Sequence, residues 1–111
     1  MKVVNRIKSS DEFVTTVKKG KTLKNSSYVV HYLKNELNAC RIGLSVSKKL
    51  GNAVTRVRTK RQVRAMCDSL IDYANHTFDI VIIIRQDFLS KNFDDNKKAL
   101  NQILSEIGIT K

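Results

Sequence analysis

The residues best suited to chemistry lie in one run: Ser47-Lys48-Lys49-Leu50-Gly51-Asn52-Ala53-Val54-Thr55-Arg56-Val57-Arg58-Thr59-Lys60-Arg61-Gln62-Val63-Arg64. From Lys48 to Cys67 seven side chains are basic and none is acidic. The pattern predicts a long helix from about Ala53 to Tyr73, with Val63, Met66, Cys67 and Leu70 as its apolar stripe. At roughly 100° per residue, Arg56, Lys60 and Arg64 then form one row, and Arg58 and Arg61 a second. Like charges at i, i+4 disfavour a helix by about 0.2–0.5 kcal/mol per pair, and no carboxylate stands among them between Lys48 and Cys67. The counter-charge must come from outside. Arginine's planar fork matches phosphate oxygens, and a helix that starts after Gly51-Asn52 offers free N–H groups and a positive dipole end to an anion. Lys48, Lys49, Asn52, Arg56, Arg58, Lys60, Arg61 and Arg64 are therefore the candidate contacts to nucleic acid phosphate.

Nothing else in the chain assembles a reactive site. A metal-dependent nuclease needs clustered carboxylates or paired histidines. Here Asp11-Glu12 and Asp94-Asp95 fit helix starts, and His31 and His76 are far apart with no partner pattern. There is no His-Glu-x-x-His, no zinc spacing and no phosphate-cradling glycine loop. Cys40 and Cys67 sit among apolar neighbours and read as free buried thiols. No catalytic and no metal-ligating residue is predicted.

Charge points the same way as the motif. The 111 residues carry 21 Lys and Arg against 10 Asp and Glu, a net charge of +11. Residues 1–67 hold 16 basic and 3 acidic side chains; residues 68–111 hold 5 and 7. A polyanion partner explains such asymmetry through field focusing and counterion release. No segment joins a basic face to the broad apolar face that membrane surfaces require. The longest apolar run, Ile80–Ile84, is too short to span a bilayer. The expectation is one cytoplasmic domain over residues 1–111, without internal repeats.

The flanking elements must hold that run in place. Ser9-Ser10-Asp11-Glu12 reads as a capping box. It opens a helix with Phe13, Val14 and Val17 on its inner side, Lys18, Lys19 and Lys21 in its last turn, and Gly20 as its C-terminal glycine. Tyr28–Leu33 is a predicted strand, and Asn35–Asn38 a turn. Arg41–Ser47 alternates, with Ile42, Leu44 and Val46 on one face and Gly43, Ser45 and Ser47 on the other. A glycine and serine face lets another molecule approach the backbone closely. Phe78–Ile84 reads as a central strand covered on both faces. Leu100, Ile103, Leu104 and Ile107 mark an amphipathic helix that stops at Gly108. The order α-β-β-α-β-α predicts an α+β fold, a single α-β sandwich with a mixed central sheet.

RNA suits this arrangement better than DNA. Phe13, Tyr28, His31 and Tyr32 lie near the basic regions and could stack unpaired bases or pack in the core. A helix-turn-helix reader needs two closely spaced helices, and strands stand there instead. Only one side of the Tyr28–Leu33 strand can face RNA.

The Lys48–Arg64 run closely resembles the signature of the protein subunit of bacterial ribonuclease P. Similarity extends along nearly the whole chain, through Arg6-Ile7-Lys8, Asp11-Glu12-Phe13, Lys19-Gly20, Arg41-Ile42-Gly43-Leu44-Ser45-Val46-Ser47 and Asp79-Ile80-Val81-Ile82-Ile83-Ile84-Arg85. The resemblance implies an α-β sandwich with a left-handed β-α-β crossover through the signature helix. It implies a subunit of an endoribonuclease whose RNA cleaves precursor tRNA at its 5′ end, with Mg²⁺ held mainly by that RNA. Its implied partners are the catalytic ribonuclease P RNA and the 5′ leader of precursor tRNA, with no membrane and no obligate protein partner. The leader would lie in a cleft formed by Phe13, Tyr28, His31 and Ser45. Three residues depart from the family pattern: Val57 replaces the usual asparagine, Val17 a frequent second aromatic and His31 a frequent tyrosine. A basic RNA-binding module of another kind, ribosome-associated or an RNA chaperone, is the alternative.

Overall fold

A computed structural model describes all 111 residues. Three helices and four strands follow in the order α1 (Ser10–Lys19), β1 (Lys21–Lys24), β2 (Tyr28–Lys34), β3 (Arg41–Ser45), α2 (Ala53–Leu70), β4 (Phe78–Ile84) and α3 (Phe93–Ile107). The sheet order is β1-β2-β4-β3. β2 is antiparallel to both β1 and β4, whereas β3 runs parallel to β4. The α+β class and the mixed sheet are those the sequence predicts.

The predicted order lacks one strand. Lys-Thr-Leu-Lys pairs with β2 as an edge strand, and its exposed lysines guard that edge while hiding it from a hydrophobicity pattern. Lys21 consequently belongs to β1 rather than to the last turn of α1. Gly20 also departs from expectation. Its φ is −76°, extended rather than left-handed. Glycine is needed there because a Cβ would lie 2.5 Å from the Thr16 carbonyl oxygen and 2.7 Å from that of Tyr32. Val14 is exposed, and Thr16 is the buried residue of α1. α2 ends at Leu70, three residues short of the predicted Tyr73.

Capping follows the sequence closely. Ser9 Oγ accepts the Glu12 N–H at 3.1 Å, Asn52 Oδ1 the Thr55 N–H at 2.9 Å, and Asn92 Oδ1 the Asp95 N–H at 2.8 Å. Each satisfies a donor that a helix start would otherwise leave unpaired. Gly108 ends α3 with φ of +88°, the left-handed cap that glycine adopts without a Cβ penalty.

The sheet divides the molecule. Tyr28 and Val30 of β2, Ile80, Ile82 and Ile84 of β4, and Ile42 of β3 share one face and are buried. They pack with Val63, Met66 and Cys67 of α2 and Leu100, Ile103 and Leu104 of α3. Val29, His31, Val81, Ile83, Gly43 and Ser45 point the other way. α1 covers part of that second face and leaves Val29, His31, Ile83 and Ser45 half-buried.

Candidate nucleic-acid interface

α2 buries one side and presents the rest. Thr59, Val63, Met66 and Cys67 are its buried residues. Arg56, Lys60 and Arg64 flank them, half-buried, while Arg58 and Arg61 are exposed. None of these five side chains forms a salt bridge or donates a hydrogen bond within the fold; Arg41 is the one Lys or Arg side chain that is ion-paired. The Arg56 Nε is buried with no partner at all. A buried donor without an acceptor costs free energy, so an incoming acceptor at this row would relieve it. Lys48 and Lys49 lie exposed on a short 3₁₀ turn before the helix, fixed by the Lys49 N–H to Ser47 Oγ bond at 3.1 Å. Gly51 then turns the chain with φ of +136°, a conformation that disfavours any side chain. Asn52 uses its Oδ1 in the helix cap, so only its Nδ2 is left for a ligand.

The second half of the site lies on the partly open sheet face. Phe13 of α1 sits over Gly43 so closely that a Cβ there would be 3.0 Å from the ring. His31 and Ser45 are on this same face. His31 Nδ1 lies 2.9 Å from Thr22 Oγ1, and partial burial lowers its pKa, favouring the neutral ring. At the outer edge of β3, a cavity of about 190 Å³ is lined by Phe13, Gly43, Leu44, Ile7, Arg6 and Arg64. Here the aromatic ring of the cleft and the arginine row of α2 meet.

Tyr28 must be removed from the cleft. It is fully buried on the opposite face; its hydroxyl donates to the Asn96 carbonyl at 2.8 Å, and its ring meets Phe88 edge-on at 5.9 Å. Burial drives its pKa far up. The cause is strand alternation: position 28 shares the face of Val30, and His31 takes the other. Tyr32 also faces the helices, edge-on to Phe78.

Sequence reading missed how α1 is held. The Arg41 Nε donates to Asp79 Oδ1 at 2.9 Å, and its Nη2 to Asp79 Oδ2 and Glu12 Oε2, each at 2.6 Å. Asn35 Nδ2 completes the Asp79 shell at 2.8 Å. Arg41 and Asp79 are neighbours across β3 and β4, and Glu12 adjoins Phe13. The guanidinium thus fixes the helix that carries the cleft aromatic. The hydrogen bonds to Asp79, then the one to Glu12, raise the Arg41 pKa, while Arg41 and then Ser9 lower that of Glu12. Arg6, in the edge cavity, is a second omission; its position depends on the pairing of Arg6 with Ile42.

Unpaired arginines beside an aromatic cleft, on a compact α+β scaffold, define a polyanion-binding domain. The family model for ribonuclease P matches residues 1–108. The chain is 42% identical over 105 residues to the ribonuclease P protein component of Mesoplasma florum, covering 94% of this chain and 96% of that one. It is 43% identical over 110 residues to the corresponding component of Bacillus cereus, covering 98% and 96%. The ribonuclease P protein structure from Staphylococcus aureus superposes with a TM-score of 0.84 at 33% identity, covering 96% of this chain and 98% of that one. The chain belongs to the ribonuclease P protein family. Its role is that of the protein component of this tRNA-processing endoribonuclease, and RNA binding comes with the family.

Proposed function

We propose that the chain carries no chemistry itself and assists a catalytic RNA in removing the 5′ leader from precursor tRNA. Lys48, Lys49 and the α2 cations hold the RNA subunit. Phe13, His31 and Ser45 receive the leader. The observation that carries this reading is the cavity at the β3 edge, where Phe13 and Arg64 line one space. A base stacked on the ring would leave its phosphate within the field of the α2 arginines. One strand could therefore contact both halves of the surface.

Two polyanions must approach each other in this reaction. Each phosphate neutralised by Lys or Arg releases counterions, with a slope of roughly 0.7–0.9 per contact in log K against log salt. The unpaired cations of α2 supply this effect without a competing carboxylate. Mg²⁺ fits the RNA better than the protein: no three His, Cys, Asp or Glu side chains of the chain cluster, and the basic surface of α2 repels a dication. Phosphate oxygens are hard ligands suited to Mg²⁺. No helix of the chain is long and apolar enough to cross a membrane, and the cytoplasm, where tRNA precursors are made, is the proposed location.

The test is reconstitution. The chain, mixed with the ribonuclease P RNA of the same cell and a leader-bearing precursor tRNA at low millimolar Mg²⁺, should accelerate release of the leader. No gain over the RNA alone would refute the proposal. Cleavage by RNA-free protein would transfer the chemistry to the chain.

A further inference from the structure

The outermost ridge of α2 is not uniformly basic. Val54 and Val57, one turn apart, are 66% and 55% exposed, the highest values for large apolar side chains outside the first four residues. They lie away from the Val63 and Met66 stripe, and no other element covers them. With Ala53, Arg58 and Arg61 they line a shallow cavity of about 410 Å³. The fold gains nothing from these valines: β-branched residues are poorer helix formers than the alanine beside them, and their methyl groups remain in water.

We propose that Val54 and Val57, between the guanidinium groups of Arg58 and Arg61, form a seat for an unstacked nucleobase of the RNA subunit. This rests on the reading that α2 faces that RNA. A phosphate alone would find no donor in valine. A base offers an apolar face to the methyl groups and a π surface to the planar arginines, and its own phosphate supplies the counter-charge. A second copy of the chain would bring two +11 molecules together at their most basic faces, with no carboxylate among the lining residues. A lipid surface needs a broader apolar face than two valines. Charge complementarity therefore selects RNA. The seat adds a contact whose strength does not depend on counterion release.

Two variants separate the seat from general phosphate binding. Val54→Thr with Val57→Thr keeps side-chain shape and branching but replaces two methyl groups by hydroxyls. Affinity for the RNA subunit, measured without tRNA across a salt series, should fall about three- to tenfold, as expected for lost apolar burial. The salt slope should stay the same, and the urea midpoint should hold because both sites are exposed. Base-directed chemical probing should show one RNA position losing its protection. Arg61→Ala should instead lower the slope by about one. Unchanged affinity and protection in the double threonine variant, with the Arg61 effect intact, would overturn the seat and leave the RNA-facing reading standing. No change with either variant would overturn both.

Discussion

Replacing Arg41 by Met tests whether the cleft is held by a buried ion pair. The Arg41 side chain is 9% exposed and that of Asp79 10%, and two hydrogen bonds join them at 2.9 and 2.6 Å. Methionine fills much of the stem's volume but leaves Asp79 with Asn35 as its one remaining side-chain donor. An uncompensated buried charge costs about 3–5 kcal/mol. For a domain of this length that is a fall in Tm of roughly 12–20 °C. Arg41→Met combined with Asp79→Leu removes both charges, and apolar replacement of a buried pair is often close to neutral. The double variant should therefore lie within about 2 kcal/mol of the parent. Urea unfolding of parent, both single variants and the double variant completes the cycle, with a constant m-value as the check that one transition is being compared. Strictly additive losses would refute the reasoning, because they would mean that Arg41 and Asp79 act independently. A stable double variant has a second use: α1 would then be released from Arg41 in a folded protein, and any loss of leader recognition would report its position.

Further expectations concern the same elements. Glu12 has its pKa lowered by Arg41 and Ser9, so its stabilising contribution is complete above its ordinary value of 4.5 and is lost as pH falls through the lower folded value. The difference in urea midpoint between parent and Glu12→Gln should accordingly shrink in acid; a difference that grows would contradict the assignment. Phe13→Ala should narrow the affinity ratio between leader-bearing and mature tRNA, measured by direct binding to the reconstituted complex. Loss of stability with an unchanged ratio would make the ring a core residue. Cys40 is buried and its thiol pushed up to about 11, and burial raises Cys67 further. At pH 8 only about one Cys40 in a thousand is thiolate, so alkylation followed by mass spectrometry should be slow in the native protein and rapid in urea.

The legible parts of this fold were those written in local sequence. Ser9 caps α1 and Gly108 stops α3 as their local sequence predicts, because a cap involves partners three or four residues apart; Asn52 and Asn92 cap their helices by the same local rule, although only the helix starts beside them were expected. The α2 cations could be read for the same reason: seven basic residues and no acid between Lys48 and Cys67 are visible in the sequence. Tyr28 could not be read this way. Alternation places Tyr28 and His31 on opposite faces, but which face looks toward α1 depends on how β2 pairs with the distant β4, as in Tyr28 with Ile84 and Lys34 with Phe78. β1 escaped because an edge strand made of lysine, threonine and leucine has no apolar rhythm to detect.

The Arg41 clamp shows why charge alone could not separate structural from functional arginines. Arg41 and Arg64 are the same residue type in the same basic half of the chain. Arg41 meets two carboxylates, 29 and 38 positions away, because β3 lies parallel to β4 and beneath α1. Arg64, on α2, has none within reach of a salt bridge. The fold uses Glu12 and Asp79 to neutralise one guanidinium, and Asp11 remains exposed at the start of α1. Asp68, one turn after Arg64 on α2, is taken by the Met1 amino group at 2.6 Å and the Tyr73 hydroxyl at 2.9 Å, so the α2 row has no internal ion pair. The scarcity of acid in the first 67 residues acts through this topology: the Lys and Arg side chains share one ion-pair network, at Arg41, and the α2 row is left without an internal counter-charge.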